Sequence, residues 1–403
     1  MHDPMSLEYQ VTARGPATSF GCHRLEEFGL DPTLVHANHG AYGAVPRPVR
    51  DAQRAIQDEL RANPCGFFRS AYPDRIRHAA KRVAEFLGGE PGDWVFVENA
   101  TAATNAVVAS LDLAAGDEVL TTDQVYGAVR KAIAYRCKRI GAHLVEAAIP
   151  MPVSAPEDIF AAVAGAASRR TQLVVLDFVS SPCGIVFPAT ELCSHFRTLG
   201  VPVFLDGAHA PGNIDVDVTA LGSDYFAGNA HKWLCAPQGA GLLWCSAEQQ
   251  RNLAPLVISH GYGLGYTQSF DWPGTHDPSA WLSVPAAIDF HQVNGGTDLR
   301  QRNRDVAFAA AEHLAAEFDC PLVAPRAMLS AMATLRLPLA GQLRFEQLEA
   351  LQLAMQLDHG VVVSLTSAGG ASWLRLSAAI YTDTADLIEA GRKVLSAPGL
   401  NDG

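Results

Sequence analysis

Short apolar and β-branched runs alternate along the chain from about residue 94 to 245 with longer stretches whose apolar positions recur at helical spacing. The runs are WVFVE (94–98), EVLTT (118–122), HLVEAA (143–148), LVVLDF (173–178), PVFLD (202–206), DYFAG (224–228) and AGLLWC (240–245). Between them lie TAATNAVVASLDL, YGAVRKAIAYRCKRI, PEDIFAAVAGAASRR and PATELCSHFRTLG. Runs of the first kind predict strands, and i, i+3, i+4 patterns predict helices. Their alternation at this interval predicts an α/β protein with a mostly parallel, doubly wound sheet covered by helices. Ligands in such sheets sit at the carboxyl ends of strands, so the polar residues there are the first candidates for chemistry.

The texture changes after Phe270. DWPGTHDPSAW is turn-rich, and a long helical pattern follows over about 298–318. A second alternation closes the chain: ATLRL, FEQLEALQLAM, GVVVSL, SWLRLS and TADLIEAGRKVL. The expected organisation is an N-terminal segment (1–45) packing with the small domain, a large domain (46–284), and a smaller C-terminal α/β domain (285–403).

The 403 residues are 48% apolar and 18% charged, as in an ordinary globular protein with a large core. A net charge of -12 argues against nucleic-acid binding, which needs a basic surface. No stretch of 18 apolar residues occurs, and MHDPMSLEYQ lacks the layout of a signal peptide, so neither a membrane nor secretion is expected and the location is taken as cytoplasmic. The eight cysteines contain no C-x-x-C pair, HANH (36–39) has no HExxH or third ligand beside it, and no metal site is expected.

Four features fall at or just after strand ends. FLDGAH puts Asp206 at the end of a buried strand with His209 three residues on. Lys232 is the one charged side chain between Asp224 and Glu248. NATAATN (99–105) opens a helix, where free amides and the helix dipole suit a phosphate. DQVYGAVR places Tyr126 at the start of the next helix. Each alone is ordinary. Together they fit one cofactor: an amine for an aldehyde, a carboxylate for a pyridinium, amides for a phosphate and a ring to stack. That cofactor is pyridoxal 5'-phosphate.

The chain also resembles the class V aminotransferases of fold type I, and within them the isopenicillin N epimerase-like group. The resemblance runs over about residues 30 to 400 through NHGAYGAVP, ATAATN, YGA, SSPCGIVFP, DGAHAPG, GNAHKW, GTHDPSAWL and RLSAAIYTD. It implies a large domain with a mostly parallel seven-stranded sheet and a homodimer with active sites shared at the interface. It makes Lys232 the Schiff-base lysine, Asp206 the partner of the pyridine nitrogen, and Tyr126 the stacking ring. His209 and Ser181 would contact the phenolic oxygen. The backbone at Thr101 and Ala102, with Asn229 and His231, would bind the phosphate, and Thr275 would reach the phosphate of the neighbouring subunit. Arg375 would clamp the carboxylate of an amino-acid substrate, with Asn38, Tyr42 and Phe178 lining its site.

The resemblance leaves several reactions open: epimerisation, β-elimination, persulfide desulfuration and transamination or decarboxylative deamination. No cysteine occurs from Val361 to Ser377, where desulfurases of the class carry their nucleophile, which argues against the persulfide route. Phe178 stands where many relatives have histidine, and this leans the expectation toward a C–S lyase acting on an S-substituted cysteine in natural-product biosynthesis. A cofactor-free relative on the same fold is the reading from outside enzymology. Retention of Asp206, His209, Lys232 and Arg375 argues against it.

Overall fold

Apolar runs too short for a helix and flanked by turn residues become strands, and the large sheet forms where they can be buried on both faces. The computed structural model describes residues 20–339 and 341–397; residues 1–19 of the N-terminal segment lie outside them. Among the described residues the strands are β1 (Val35–His36), β2 (Trp94–Val97), β3 (Glu118–Thr122), β4 (His143–Ala147), β5 (Thr171–Asp177), β6 (Val203–Gly207), β7 (Tyr225–Asn229), β8 (Gly241–Cys245), β9 (Met332–Arg336), β10 (Val361–Val362), β11 (Ser364–Ala368) and β12 (Ala371–Ser377). Seven of them form one sheet in the order β2-β8-β7-β6-β5-β3-β4. It is parallel except for β8, which runs antiparallel to both of its neighbours.

The period-two alternation of a strand divides this sheet between two cores. Val174, Leu176, Leu205 and Phe226 belong to one apolar cluster, while Leu173, Val175, Phe204 and Ala227 belong to the other. The second cluster includes the apolar residues of the helix Ala100–Ser110, so that helix covers the same face as the odd-numbered residues of β5 and the even-numbered residues of β6.

A smaller antiparallel sheet, β11-β12-β9, lies in the C-terminal part of the chain with the long helix Thr297–Phe318 and the helices Phe345–His359 and Thr384–Leu395. GVVVSL reads as one strand but is two. Val361 and Val362 pair in parallel with Val35 and His36, whereas the segment from Ser364 pairs with β12. The two pieces have different partners, and the apolar pattern carries no sign of that division. Asn38 extends the N-terminal contact by bridging to Ser377.

Close approach of backbone decides one position beside the future site. A Cβ on Gly241 would lie 2.5 Å from both the nitrogen and the Cα of Asn99, the residue that opens the helix Ala100–Ser110. Gly165 is exposed in the helix Pro156–Ala166, and a Cβ there meets nothing within 4 Å. The two alanine substitutions should therefore have opposite signs. Gly165→Ala raises stability by up to about 1 kcal/mol, and Gly241→Ala lowers the thermal midpoint and weakens cofactor retention, both read by thermal denaturation of the purified protein.

Candidate functional site

Strand ends supply most of a cavity of about 220 Å3 whose wall includes Asn99, Thr101, Tyr126, Asp177, Ser181, Asp206, His209, Asn229, His231 and Lys232. Asp206 reaches it from β6, Asn229 from β7, and Lys232 from the turn that follows β7. Ala41 and the strongly exposed Tyr42 stand at the same cavity from the N-terminal side.

The start of the helix Ala100–Ser110 is held by two asparagines. Asn99 Oδ1 accepts from the Ala102 amide at 3.0 Å, and Asn229 Oδ1 accepts from the Ala100 amide at 2.9 Å. The Ala103 amide returns to the Asn99 carbonyl. Among the described residues this leaves the Thr101 amide of the first turn without a protein partner, pointing an unpaired donor and the positive end of the helix dipole toward an anion. Ala102 is thus engaged in capping, and Asn229 acts here through the backbone of the helix. The Nδ1 atom of His231 is buried and unpartnered. Burial first, and then Lys232, lowers the His231 pKa to about 4, so the ring is a neutral hydrogen-bonding group.

Asp206 is buried, and its Oδ1 accepts from the Ala208 amide at 3.0 Å. Burial raises its pKa, while the Ala208 amide and the Lys232 ammonium work in the opposite direction. Lys232 Nζ lies 3.1 Å from His209 Nε2. Burial, reinforced by Arg375 and opposed by Asp206, lowers the Lys232 pKa to about 8. His209 is itself driven well below the usual histidine range, first by burial and then by Lys232. A neutral His209 that accepts from Trp233 Nε1 at Nδ1, 3.4 Å away, carries its proton on Nε2. It then donates to Lys232 in its uncharged form.

Arg375 projects from β12, 3% exposed, and its pKa is lowered to about 10 by burial. Its Nη2 donates to Asn38 Oδ1 at 3.1 Å, its Nη1 donates to the Ser181 carbonyl, and its Nε is unpartnered. None of the described carboxylates forms a salt bridge with it. A buried guanidinium held only by neutral oxygens is a receptor for a carboxylate from outside.

Five predicted residues are not on the cavity wall: Ala102, engaged in the helix cap, Asn38 and Arg375, which bond each other beside Ser181, and Phe178 and Thr275. The ring of Phe178 joins the core cluster of Val174 and Leu176 on the far face of the sheet, because it is one step out of phase with Asp177. Thr275 is exposed on the loop after Asp271. The aromatic stretch Phe67, Phe68 and Tyr72 packs against Trp272 beside that loop. Cys183 and Cys235 are buried, with burial pushing both thiols up, Cys235 to about 12, so neither is a thiolate nucleophile at neutral pH.

Sequence reasoning did not single out Asn99, His39 or Asp177. His39 Nε2 lies 3.1 Å from the Lys232 carbonyl, and its Nδ1 lies 2.8 Å from the Tyr381 hydroxyl. Burial lowers its pKa to about 4, and the neutral ring fastens the backbone of the lysine turn to the C-terminal part of the chain. Only its place in HANH and in the NHG triplet marked it, and neither stretch gives a contact. Asp177 is buried on the cavity wall with Oδ2 unpartnered.

The residues present fit pyridoxal 5'-phosphate: an amine near its free-base form, a buried carboxylate, an open helix-start amide beside an unpartnered imidazole nitrogen, and a cavity with Tyr126 on its wall. Comparison with known proteins agrees. Residues 45–389 match the family model for aminotransferase class-V. The chain is 35% identical over 333 residues to isopenicillin N epimerase of Amycolatopsis lactamdurans, covering 78% of this chain and 83% of that protein. It is 33% identical over 324 residues to putative L-cysteine desulfhydrase 1 of Oryza sativa subsp. japonica, covering 76% and 67%. The apo structure of cysteine desulfurase from Thermococcus onnurineus NA1 superposes with a TM-score of 0.77 at 19% identity, covering 94% of this chain and 98% of that one, and shares the fold.

The lysine titration has a directional consequence. Only the uncharged amine attacks an aldehyde, so cofactor uptake by the apoprotein should accelerate as pH rises, with a midpoint near 8 rather than the ordinary lysine value of about 10.4. Stopped-flow absorbance of reconstitution across pH measures it.

Proposed function

The chain belongs to the class V aminotransferase family and is a pyridoxal 5'-phosphate enzyme, and on that premise we propose that it is a C–S lyase acting on an S-substituted cysteine. When bound, pyridoxal 5'-phosphate supplies an electron sink that makes the Cα–H of an amino acid acidic. The chain's own residues do the rest. Thr101 and His231 would hold the phosphate end, and Asp206 would pair its carboxylate with the ring nitrogen and keep it protonated. Arg375 receives the substrate carboxylate through its free guanidinium edge, and Lys232 takes the Cα proton. Loss of the sulfur substituent from Cβ releases a thiol, and water then yields pyruvate and ammonia. The sulfur side chain extends toward Tyr42 and Tyr126 at the open side of the cavity.

One observation carries the choice of elimination: among the residues of the cavity wall Lys232 is the single amine. Elimination needs one base and a leaving group, whereas epimerisation needs a proton delivered to the opposite face. The relative named L-cysteine desulfhydrase favours the same reading, and the relative named isopenicillin N epimerase keeps epimerisation as the alternative. Decarboxylative deamination is a further alternative within the same site.

The proposal extends to assembly and context. Thr275 is exposed, and so are Leu256, Val257, Ile258, Tyr262 and Leu264 on the loop preceding it. An apolar surface of this kind fits burial in a homodimer whose active sites are shared at the interface. None of the helices among the described residues is long and apolar enough to cross a membrane. A cytoplasmic enzyme of natural-product biosynthesis is the setting we assign.

Incubation of holoenzyme with S-substituted cysteines in D2O, followed by mass spectrometry, decides among the reactions. Pyruvate with free thiol is expected. A deuterated amino acid of inverted configuration, read by chiral chromatography, would establish epimerisation, and released CO2 the decarboxylative route. Lys232→Ala should lose the visible absorbance of the bound cofactor and the activity together. Arg375→Lys should raise KM at least tenfold, about 1.4 kcal/mol, because an ammonium cannot reproduce the paired donors of a guanidinium.

A further inference from the structure

Asp177 has no part in the chemistry above, yet it occupies one of the most constrained positions in the molecule. It ends β5 and is the register partner of Asp206 on β6. Neighbouring strands lie about 4.8 Å apart, and paired residues of parallel strands turn their side chains to the same face. Both carboxyls therefore stand on the face covered by the helix Ala100–Ser110, and both line the cavity. Asp177 is 2% exposed.

Asp177 accepts from the Ser181 amide of the following turn but, among the described residues, has neither a helix to cap nor a cation partner. The next helix, Ala189–Thr198, begins well downstream, with Pro188 at its cap, so Asp177 caps nothing. Among the described residues no arginine or lysine forms a salt bridge with it, and its Oδ2 has no partner. Its own amide and that of Ser181 are the donors that favour its charged form, against burial and the neighbouring Asp206, which push the pKa well above the ordinary range. The surroundings add little positive charge on its side. Lys232 and the Ala208 amide act on Asp206, whereas no cation is among the groups that act on Asp177. Two carboxylates this close in a desolvated site do not both ionise.

We propose, resting on the cofactor reading above, that Asp177 keeps a proton at neutral pH and shares it with Asp206, so that the pair presents a single negative charge to the ring nitrogen. Asp177 is then a positioning residue. It acts through Asp206, lending it a hydrogen bond and moderating how strongly that carboxylate holds the ring proton. The unpartnered Oδ2 is the atom that carries the shared proton.

Infrared difference spectroscopy of the holoenzyme tests this at about pH 8, where Asp271, with its pKa raised to about 6, is ionised. The wild-type protein should show the carbonyl stretch of a protonated carboxylic acid, and Asp177→Asn should lose that band while keeping cofactor affinity within about twofold, since the amide is also neutral and also donates. Absence of the band from the wild type, or its survival in Asp177→Asn, overturns the proposal. If the variant does not fold, wild-type protein carrying labelled aspartate is followed from acid to pH 8. A labelled acid band that persists to pH 8 supports the shared proton, and its disappearance through the ordinary carboxyl range near about pH 4 overturns it. The band is read whether or not the protein is coloured. A colourless protein would strike the cofactor reading and leave the shared proton to be judged separately.

Discussion

Two buried cations without a carboxylate partner, Lys232 and Arg375, set the terms for everything around the cavity. An uncompensated charge in a desolvated site costs several kcal/mol, and the two bases meet that cost differently. The lysine gives up its proton more readily, its pKa lowered to about 8, and its free amine then stands beside a neutral His209. The guanidinium stays charged and is solvated by the Asn38 side chain and the Ser181 carbonyl, with Nε left over. A site built this way gains by admitting anions. In the proposed reading, a phosphate at the helix start and a substrate carboxylate at Arg375 would each supply the charge that the protein has withheld.

That arrangement depends on the N-terminal segment acting as a strap between the two parts of the chain. Val35 and His36 pair with Val361 and Val362, Asn38 bridges to Ser377 and holds Arg375, and His39 reaches the carbonyl of Lys232. Gly43 completes it. Its φ of 71° is left-handed, and a Cβ there would lie 2.0 Å from the His231 carbonyl oxygen. Arg375 and the turn that carries Lys232 are thus joined through a few consecutive residues.

How much of this was legible in the sequence follows from which contacts are local. The seven strands announced themselves because a parallel sheet buried on both faces leaves continuous apolar runs, and Lys232 and Asp206 stood out as charges at the ends of such runs. What pairs across the chain left no trace. Asn99 and Asn229 are 130 residues apart and grip one helix start from two sides, and a lone asparagine after a strand resembles any turn. His39 is marked only by HANH and a triplet, and its work is a hydrogen bond to a backbone carbonyl. Phe178 shows the reverse failure. A residue beside Asp177 in sequence faces the opposite side of the sheet, so adjacency suggested a place in the site that the period of two denies.

The same geometry bears on why one member of the family eliminates where another epimerises. A base that returns its proton to the face it came from leaves stereochemistry unchanged, and inversion needs a second acid across the substrate plane. Here the groups on the strand side are crowded and their charges are tightly managed: Lys232, His209, Asp206 and Asp177 all titrate away from their ordinary values, and burial is the first cause each time. The opposite side offers Tyr126 and Tyr42, both widely exposed. Two exposed phenols are not a buried acid held across the substrate plane. An open side is, however, the right surroundings for a departing thiolate, which must leave the cavity and be solvated. The proposed elimination would use that asymmetry, with proton transfer on the buried side and the departing thiolate on the side of Tyr42 and Tyr126.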